Sequence, residues 1–470
     1  NLRVNAAVNA VGSIAYYVAI VLVTPLAIAG LGNHVWGLWQ IVGSITGYGL
    51  LIELGLTSAV SFHVSGAVAR DDPETLAQSL TIARVYMLGA AIALVALTLL
   101  VGPGLLRSLV ATEDLSIATR ALYYSVGIAA VGMPIRIYLS VLSGLQQYQR
   151  MAIYRLLGGA FLILMVIGAS LRQGIEFIPF VVMMSIAPLV APVFAWGACK
   201  RILPHTAFRW RGFSSEHFRT MLSYAASTIV YSTGSVILFQ TMKLIASWRA
   251  GGPEAAGHIG IVINVIQVLA VLFIPIAAVV HPRASELMGR GEADKIPGVL
   301  LGSLKTTAWM AIPITAFFMA VPHAIFDAWV GSVVSEETLG SLARTMRWMA
   351  IGQGVYVLFL PCFYALLGIG EHRVFGIGMI LAGIANAVLG SVLTVADPRI
   401  ETLGMAFTLS LSALVLGGTV PVTLRRFGLG IGEVFRKMLA GPLLATIPAV
   451  LATQWVPPTG DALLDLVLLG

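Results

Sequence analysis

Ionisable side chains are scarce in this chain, so those that fall inside apolar runs carry most of its chemical information. Glu53, Arg136 and Lys243 are three such residues. A charge at mid-membrane depth costs about 2.5 to 3.5 kcal/mol on insertion scales, so each must meet protein, water or headgroups rather than lipid tails. The guanidinium of Arg136 presents a planar fork that can hold two oxygens of one phosphate. Glu53, at similar depth, offers it a carboxylate instead. The two residues therefore form either a buried structural pair or an anion site with a proton carrier beside it. Lys243 sits near the end of its run, where its ammonium snorkels into the headgroups or attracts an anionic sugar or phosphate. His63 and His281 lie near the ends of two other runs and titrate in the range suited to a gate or a proton site, or simply mark an interface.

Polar residues at helical spacing extend this set. Asn5, Asn9, Ser13 and Tyr16 recur every three or four positions, as do Tyr224, Thr228, Tyr231 and Ser235. Gln40, Ser44 and Tyr48 form a third stripe, and Asn264 and Gln267 begin a fourth. Such stripes line a hydrophilic cavity or glue helices together; Tyr and Gln are bulkier than close helix packing prefers, which favours the cavity. On an unbroken helix Glu53 is rotated about 140° from Tyr48, so it cannot share the Gln40 face. Ser140 and Ser143 continue the face of Arg136. Prolines 25, 134, 188, 192, 275, 313 and 361 fall inside runs, where each frees a backbone carbonyl and permits a bend. Pro25 and Pro275 are the expected hinges.

The elements that position these residues are membrane helices. Hydrophobic residues make up 58% of the 470-residue chain and charged residues 10%, with mean hydropathy +0.92, leaving too little polar surface for a water-soluble globule. Spans of roughly 20 apolar residues are expected at 8–29, 36–64, 81–101, 121–145, 152–171 and 177–198. A basic segment over 200–220 follows, then six more spans at 221–247, 259–280, 306–328, 348–369, 374–395 and 403–422. A thirteenth covers 438–454. The run from Ala462 stops at Gly470, which suggests an incomplete fourteenth, and the Asn1 start suggests a trimmed amino terminus with the first span as targeting signal. Of the 28 basic residues, about 19 fall in segments that share one side when the amino terminus is cytoplasmic, and about seven on the other. The +7 charge thus reads as topology and contact with anionic lipid, and no nucleic-acid partner is expected.

The fold class is therefore all-α and polytopic. Residues 1–199 make a first six-helix lobe, 200–220 a cytoplasmic linker, 221–424 a second six-helix lobe, and 425–470 two further helices. An internal repeat with an offset of about 224 relates the lobes, matching Gly144 with Gly368, Glu113 with Glu336, Arg120 with Arg344 and Gln40 with Asn264. Even span counts give both copies the same orientation, so a pseudo-two-fold axis along the membrane normal is expected. Cys199 and Cys362 suggest no disulfide framework or metal site, no nucleotide-binding or hydrolase motif is present, and no cofactor is expected beyond an H+ or Na+ gradient.

Several motifs together resemble a known family. Pro25 inside the first span, the GLG that ends at Gly32, the GLW opening the second span, Tyr48, the ELGL run at Glu53, Ser58 with Ala59, and the ARDDPE loop are similar to the polysaccharide-transporter branch of the multidrug/oligosaccharidyl-lipid/polysaccharide exporter superfamily. The phrase SGLQQYQRMAIYRLLGG resembles that branch's second recurrent stretch. The resemblance implies a flippase in a bacterial inner membrane, not an enzyme. It would move a polyprenyl-diphosphate-linked oligosaccharide, of the O-antigen or exopolysaccharide type, to the outer leaflet by alternating access. The alternatives are a cation-coupled multidrug antiporter, which resembles a 12-helix protein with a carboxylate in the first helix, and a lipid II flippase, whose branch carries Arg there; the first span has neither. A membrane glycan polymerase or ligase would need a large external loop, and every external loop here is short. The tail helices suit either a groove for the polyprenyl chain or docking to polysaccharide-assembly proteins.

Overall fold

The computed structural model describes residues 2–172, 174–203, 208 and 213–453, and every regular element among them is helical. The chain divides into two compact units, Asn1–Val236 with Gly252–Gly257, and Ile237–Gly251 with His258–Gly470. Among the described residues, nine helical stretches are long and apolar enough to cross a membrane. Backbone groups in hydrocarbon must be satisfied within their own segment, which is why a chain of this composition folds as helices.

Unit 1 contains α1 (Leu2–Leu31), α2 (Asn33–Gly49), α3 (Leu51–Ala69), α4 (Pro73–Leu109), α5 (Leu115–Gly144), α6 (Tyr148–Arg172) and α7 (Phe177–Ile202), and α8 (Ser215–Arg249) passes from it into unit 2. Unit 2 continues with α9 (Gly252–Ala278), whose first turn belongs to unit 1, then α10 (Val280–Gly289), α11 (Ile296–Ala320), α12 (Pro322–Val330), α13 (Glu336–Leu358), α14 (Leu360–Gly368) and α15 (His372–Ala396). It closes with α16 (Ile400–Ser412), a π-helical segment Ala413–Thr419, α17 (Val420–Arg426), α18 (Ile431–Val434), a second π-helical segment Phe435–Leu439 and α19 (Ala440–Thr453). The thirteenth span is thus described only as far as Thr453, and the expected fourteenth lies outside the described residues.

Three of the expected spans are broken. Span two splits at Leu50 into α2 and α3, span nine at Val321 into α11 and α12, and span ten at Phe359 into α13 and α14, and the end expected for span eight coincides with a further break at Val279 between α9 and α10. Pro361, at the start of α14, and Pro282, early in α10, lack the amide that a continuous helix requires. Leu50 follows Gly47 and Gly49, the weakest helix formers short of proline. In the ninth span α11 ends at Ala320, and Pro322 restarts the chain as α12.

The helices that end at the basic loops share one device. Asp71, Gln146, Gly291, Gly370 and Gly428 all have positive φ, from 50° to 83°. The following amide in each case reaches back five residues, as in Asp72 N to Ala67 O at 2.9 Å, Gln147 N to Leu142 O at 2.9 Å and Glu371 N to Leu366 O at 2.9 Å. This is the Schellman closure, and it leaves carbonyl-rich helix ends beside Arg70, Arg150, Arg290, Arg373 and Arg425, where positive charge is favourable. Asp72 then caps α4 by accepting from the amides of Glu74 and Thr75 and from the Thr75 hydroxyl, contacts that hold its carboxyl below the usual range.

These landmarks also register the two units. Gln146 and Gly370 stand 224 residues apart, but Asp71 and Gly291 stand 220 apart. Gly144 and Gly368 pack alike: a Cβ at Gly144 would lie 2.6 Å from Ser61 O, and one at Gly368 2.7 Å from His281 O. Ser61 and His281 are again 220 apart, so the repeat has a four-residue difference between these stretches, and the single offset of 224 does not carry through α3 and α10.

Candidate functional site

The break at Leu50 places Glu53 in the first turn of α3, where its amide bonds Leu50 O at 3.0 Å. The premise of one unbroken helix, from which the 140° rotation between Tyr48 and Glu53 follows, is therefore corrected. Glu53 is 6% exposed, and Arg136 Nη1 on α5 donates to its Oε2 at 3.0 Å. The pair is structural in geometry and yet not sealed. Both residues line a cavity of about 980 Å³ in unit 1 that extends along α3 and α5 to the loop at Gln146. Arg136 is eight residues from the end of α5, about 12 Å deep at 1.5 Å per residue.

The walls are rich in hydroxyls. Ser58, Ser61 and Ser65 on α3 recur at spacings of three and four, and Ser140 and Ser143 on α5 stand beside Arg136. Ser58 donates to Gly55 O at 2.9 Å and Ser65 to Phe62 O at 3.0 Å, so their hydroxyl protons are spent on the helix. Tyr148 and Arg155 on α6 and Pro188 and Pro192 on α7 complete the enclosure. The two prolines lack the amides that would donate to the carbonyls of Met184 and Pro188. The lining thus holds two guanidiniums, Arg136 and Arg155, and one carboxylate, Glu53. An anion with several hydroxyl donors matches this chemistry.

Arg155 is the residue that sequence reasoning missed, because it counts as a topology charge near a loop. Its signal is position: it lies seven residues into α6, about 10 Å inside an otherwise apolar run.

The other candidates lie elsewhere. Gln40 and Ser44 are buried within unit 1, the Ser44 hydroxyl donating to Gln40 O at 2.7 Å, and Tyr48 is half-buried on α2. Lys243 on α8 and Asn264 and Gln267 on α9 are half-buried in unit 2. His281, at the start of α10, is exposed. Asn9 and Tyr16 fall on α1 and Tyr231 on α8, but their side chains lie outside the described residues.

His63 has a different setting. Its ring meets that of His217 edge-on at 5.1 Å, and His217 Nε2 lies 2.9 Å from Ser79 Oγ. Ser79 already donates to Thr75 O at 2.8 Å, so it accepts from His217, which fixes the proton on Nε2. Burial holds His217 below its ordinary pKa. Arg84 on α4 bonds Phe208 O at 3.3 Å and the Tyr138 hydroxyl of α5 at 3.2 Å, holding Phe208 beside both helices.

No protein family model matches the chain. Its fold is that of a multidrug resistance MATE family transporter of the MOP superfamily in an inward-facing conformation, with a TM-score of 0.76 at 14% identity over 88% of this chain and 94% of that one. The lipid II flippase MurJ in an inward closed conformation gives 0.64 at 13% identity over 94% and 96%. Among curated proteins, the uncharacterized membrane protein EpsK of Bacillus subtilis (strain 168) is 22% identical over 265 residues. That match spans 55% of this chain and half the length of EpsK. The chain is therefore a multi-pass membrane protein with the two-lobed, all-helical fold of these transporters.

Proposed function

We propose that the protein is a flippase for polyprenyl-diphosphate-linked oligosaccharide, moving it from the cytoplasmic to the outer leaflet of a bacterial inner membrane by alternating access. The observation that carries this reading is the unit 1 cavity, which combines a recessed ion pair, a second guanidinium and a hydroxyl-lined wall. Arg136 and Arg155 suit the diphosphate, and the serine oxygens and freed carbonyls accept from sugar hydroxyls. A cationic drug would meet a lining of the wrong sign. The fold shared with a lipid II flippase supports a lipid-linked cargo.

The Glu53–Arg136 pair supplies the coupling. A substrate phosphate competes with the Glu53 carboxylate for the same guanidinium, and two anions cannot share it in a low-dielectric recess. Phosphate entry displaces the carboxylate, which takes a proton; phosphate departure lets the pair re-form and the proton leave. The test is leaflet-resolved measurement of lipid-linked oligosaccharide in cells depleted of this protein. Build-up on the cytoplasmic side is expected, and an unchanged distribution would count against the reading. Purified protein in liposomes that extended or cleaved glycan would point to a polymerase or ligase instead.

A further inference from the structure

Unit 2 holds a second cavity, of about 480 Å³, between the middle of α13 and the start of α16. Three arginines and two carboxylates stand around it, and their pairing is unequal. Arg344 bonds Glu401 Oε1 through Nε and Nη2, both at 2.9 Å, and the Ser341 hydroxyl donates to the same oxygen at 3.1 Å. Arg399 grips Asp397 with two bonds of 2.6 and 2.7 Å. Arg347 donates only Nε, to Met319 O at 3.3 Å, and among the described residues it has no carboxylate partner. The cavity therefore carries one net positive charge, and that charge is a guanidinium with its terminal nitrogens uncommitted.

Two further features narrow the ligand. Glu401 Oε2 is buried and accepts from nothing among the described residues, so the site lacks one hydrogen-bond donor. Below the charged rim the lining is apolar: Trp348 and Ile351 on α13 and Met405 on α16, with Leu409 one turn further and 51% exposed. On helices that cross a membrane, this exposed face meets acyl chains.

We infer that this cavity binds the headgroup of an anionic glycerophospholipid whose head ends in hydroxyls. The phosphodiester oxygens lie on the Arg347 fork, a headgroup hydroxyl donates to Glu401 Oε2, and an acyl chain follows Ile351, Met405 and Leu409. A single negative charge balances the site. A zwitterionic head brings an ammonium into a cavity already positive and leaves the balance unmet.

Native mass spectrometry of the full chain, with phosphatidylglycerol, phosphatidylethanolamine or phosphatidylcholine added at equal concentration, tests this. The first phosphatidylglycerol adduct should persist at higher collision energy than the first adduct of either zwitterionic lipid. R347Q should weaken that adduct about tenfold, the loss expected of one charge-assisted contact, whereas R290Q, at a basic loop elsewhere in unit 2, should leave it unchanged. R347K, which keeps the charge but not the fork, should fall between, and it serves as the test if R347Q does not fold. Excess soluble glycerol phosphate should leave the lipid bound, because it lacks the acyl chain. Equal retention of the three lipids, an R347Q adduct like wild type, or displacement by glycerol phosphate would each overturn the assignment.

Discussion

Truncating Arg136 to Ala strands the Glu53 carboxylate in a recess where it is 6% exposed, and truncating Glu53 strands the guanidinium in the same way. Breaking one side of a fully buried pair costs about 3 to 5 kcal/mol, and the cost here is smaller because the Arg136 side chain keeps 19% of its surface exposed to the cavity. Stability and transport then separate by variant. Glu53→Gln with Arg136→Met removes both charges and should recover much of the folded yield that either single change loses, yet flip no substrate, because the phosphate site and the proton carrier are both gone. Arg136→Lys keeps a point charge without the fork and should fold with reduced flipping. Folded yield by size-exclusion profile and flipping per folded molecule in liposomes distinguish these outcomes. Normal flipping per folded molecule in the double variant would make the pair purely structural. The pairing of Glu53 with Arg136 was legible in the sequence as one of two readings, because both are charges stranded in apolar runs. That the pair also borders a cavity was not legible, since the cavity is made by four helices and no single stripe reports it.

At the scale of elements, the loop ends of α5 and α14 are held by close backbone approach. A methyl group at Gly144 would meet Ser61 O and the Val64 side chain, and one at Gly368 would meet His281 O and Ala284 Cβ at 2.6 Å. Backbone cannot step aside as a side chain can, so Gly144→Ala and Gly368→Ala should each cost about 1 to 3 kcal/mol, as overpacked cores do. Gly89→Ala meets nothing within 4 Å and should be neutral or slightly stabilising, as Ala is the better helix former. Thermal melting of the detergent-solubilised protein compares the three, and equal melting for all would remove the close approach as a stability term. Length and apolarity made the spans legible, but not their interruptions at Leu50 and Val279, because hydropathy is blind to φ and ψ. Phe359 was nearer to being readable: Pro361 stood within span ten. The Gly144 and Gly368 match was found by sequence offset, and its reason, a shared contact with the preceding broken helix, appears only in three dimensions.

For the whole molecule, the orientation expected from the basic residues is open to a direct test. Arginines stand beside the Schellman-closed helix ends, where positive charge is favourable, and about 19 of the 28 basic residues fall in segments expected on one side of the membrane. Inverting the chain would carry that excess across the membrane, so the orientation should be single and resistant to point changes. Cys199 and Cys362, both buried and free, can be replaced first to give a background without reactive thiols. Single cysteines at Gln149 and Glu292 should then label with an impermeant maleimide only in inverted vesicles or permeabilised cells, and cysteines at Glu113 and Glu337 in intact cells. The two sites on each side belong to different units, so concordant labelling within each pair also tests the even number of crossings in the first unit. Labelling of Gln149Cys and Glu337Cys from the same side would break the shared orientation on which both the repeat and the direction of flipping depend.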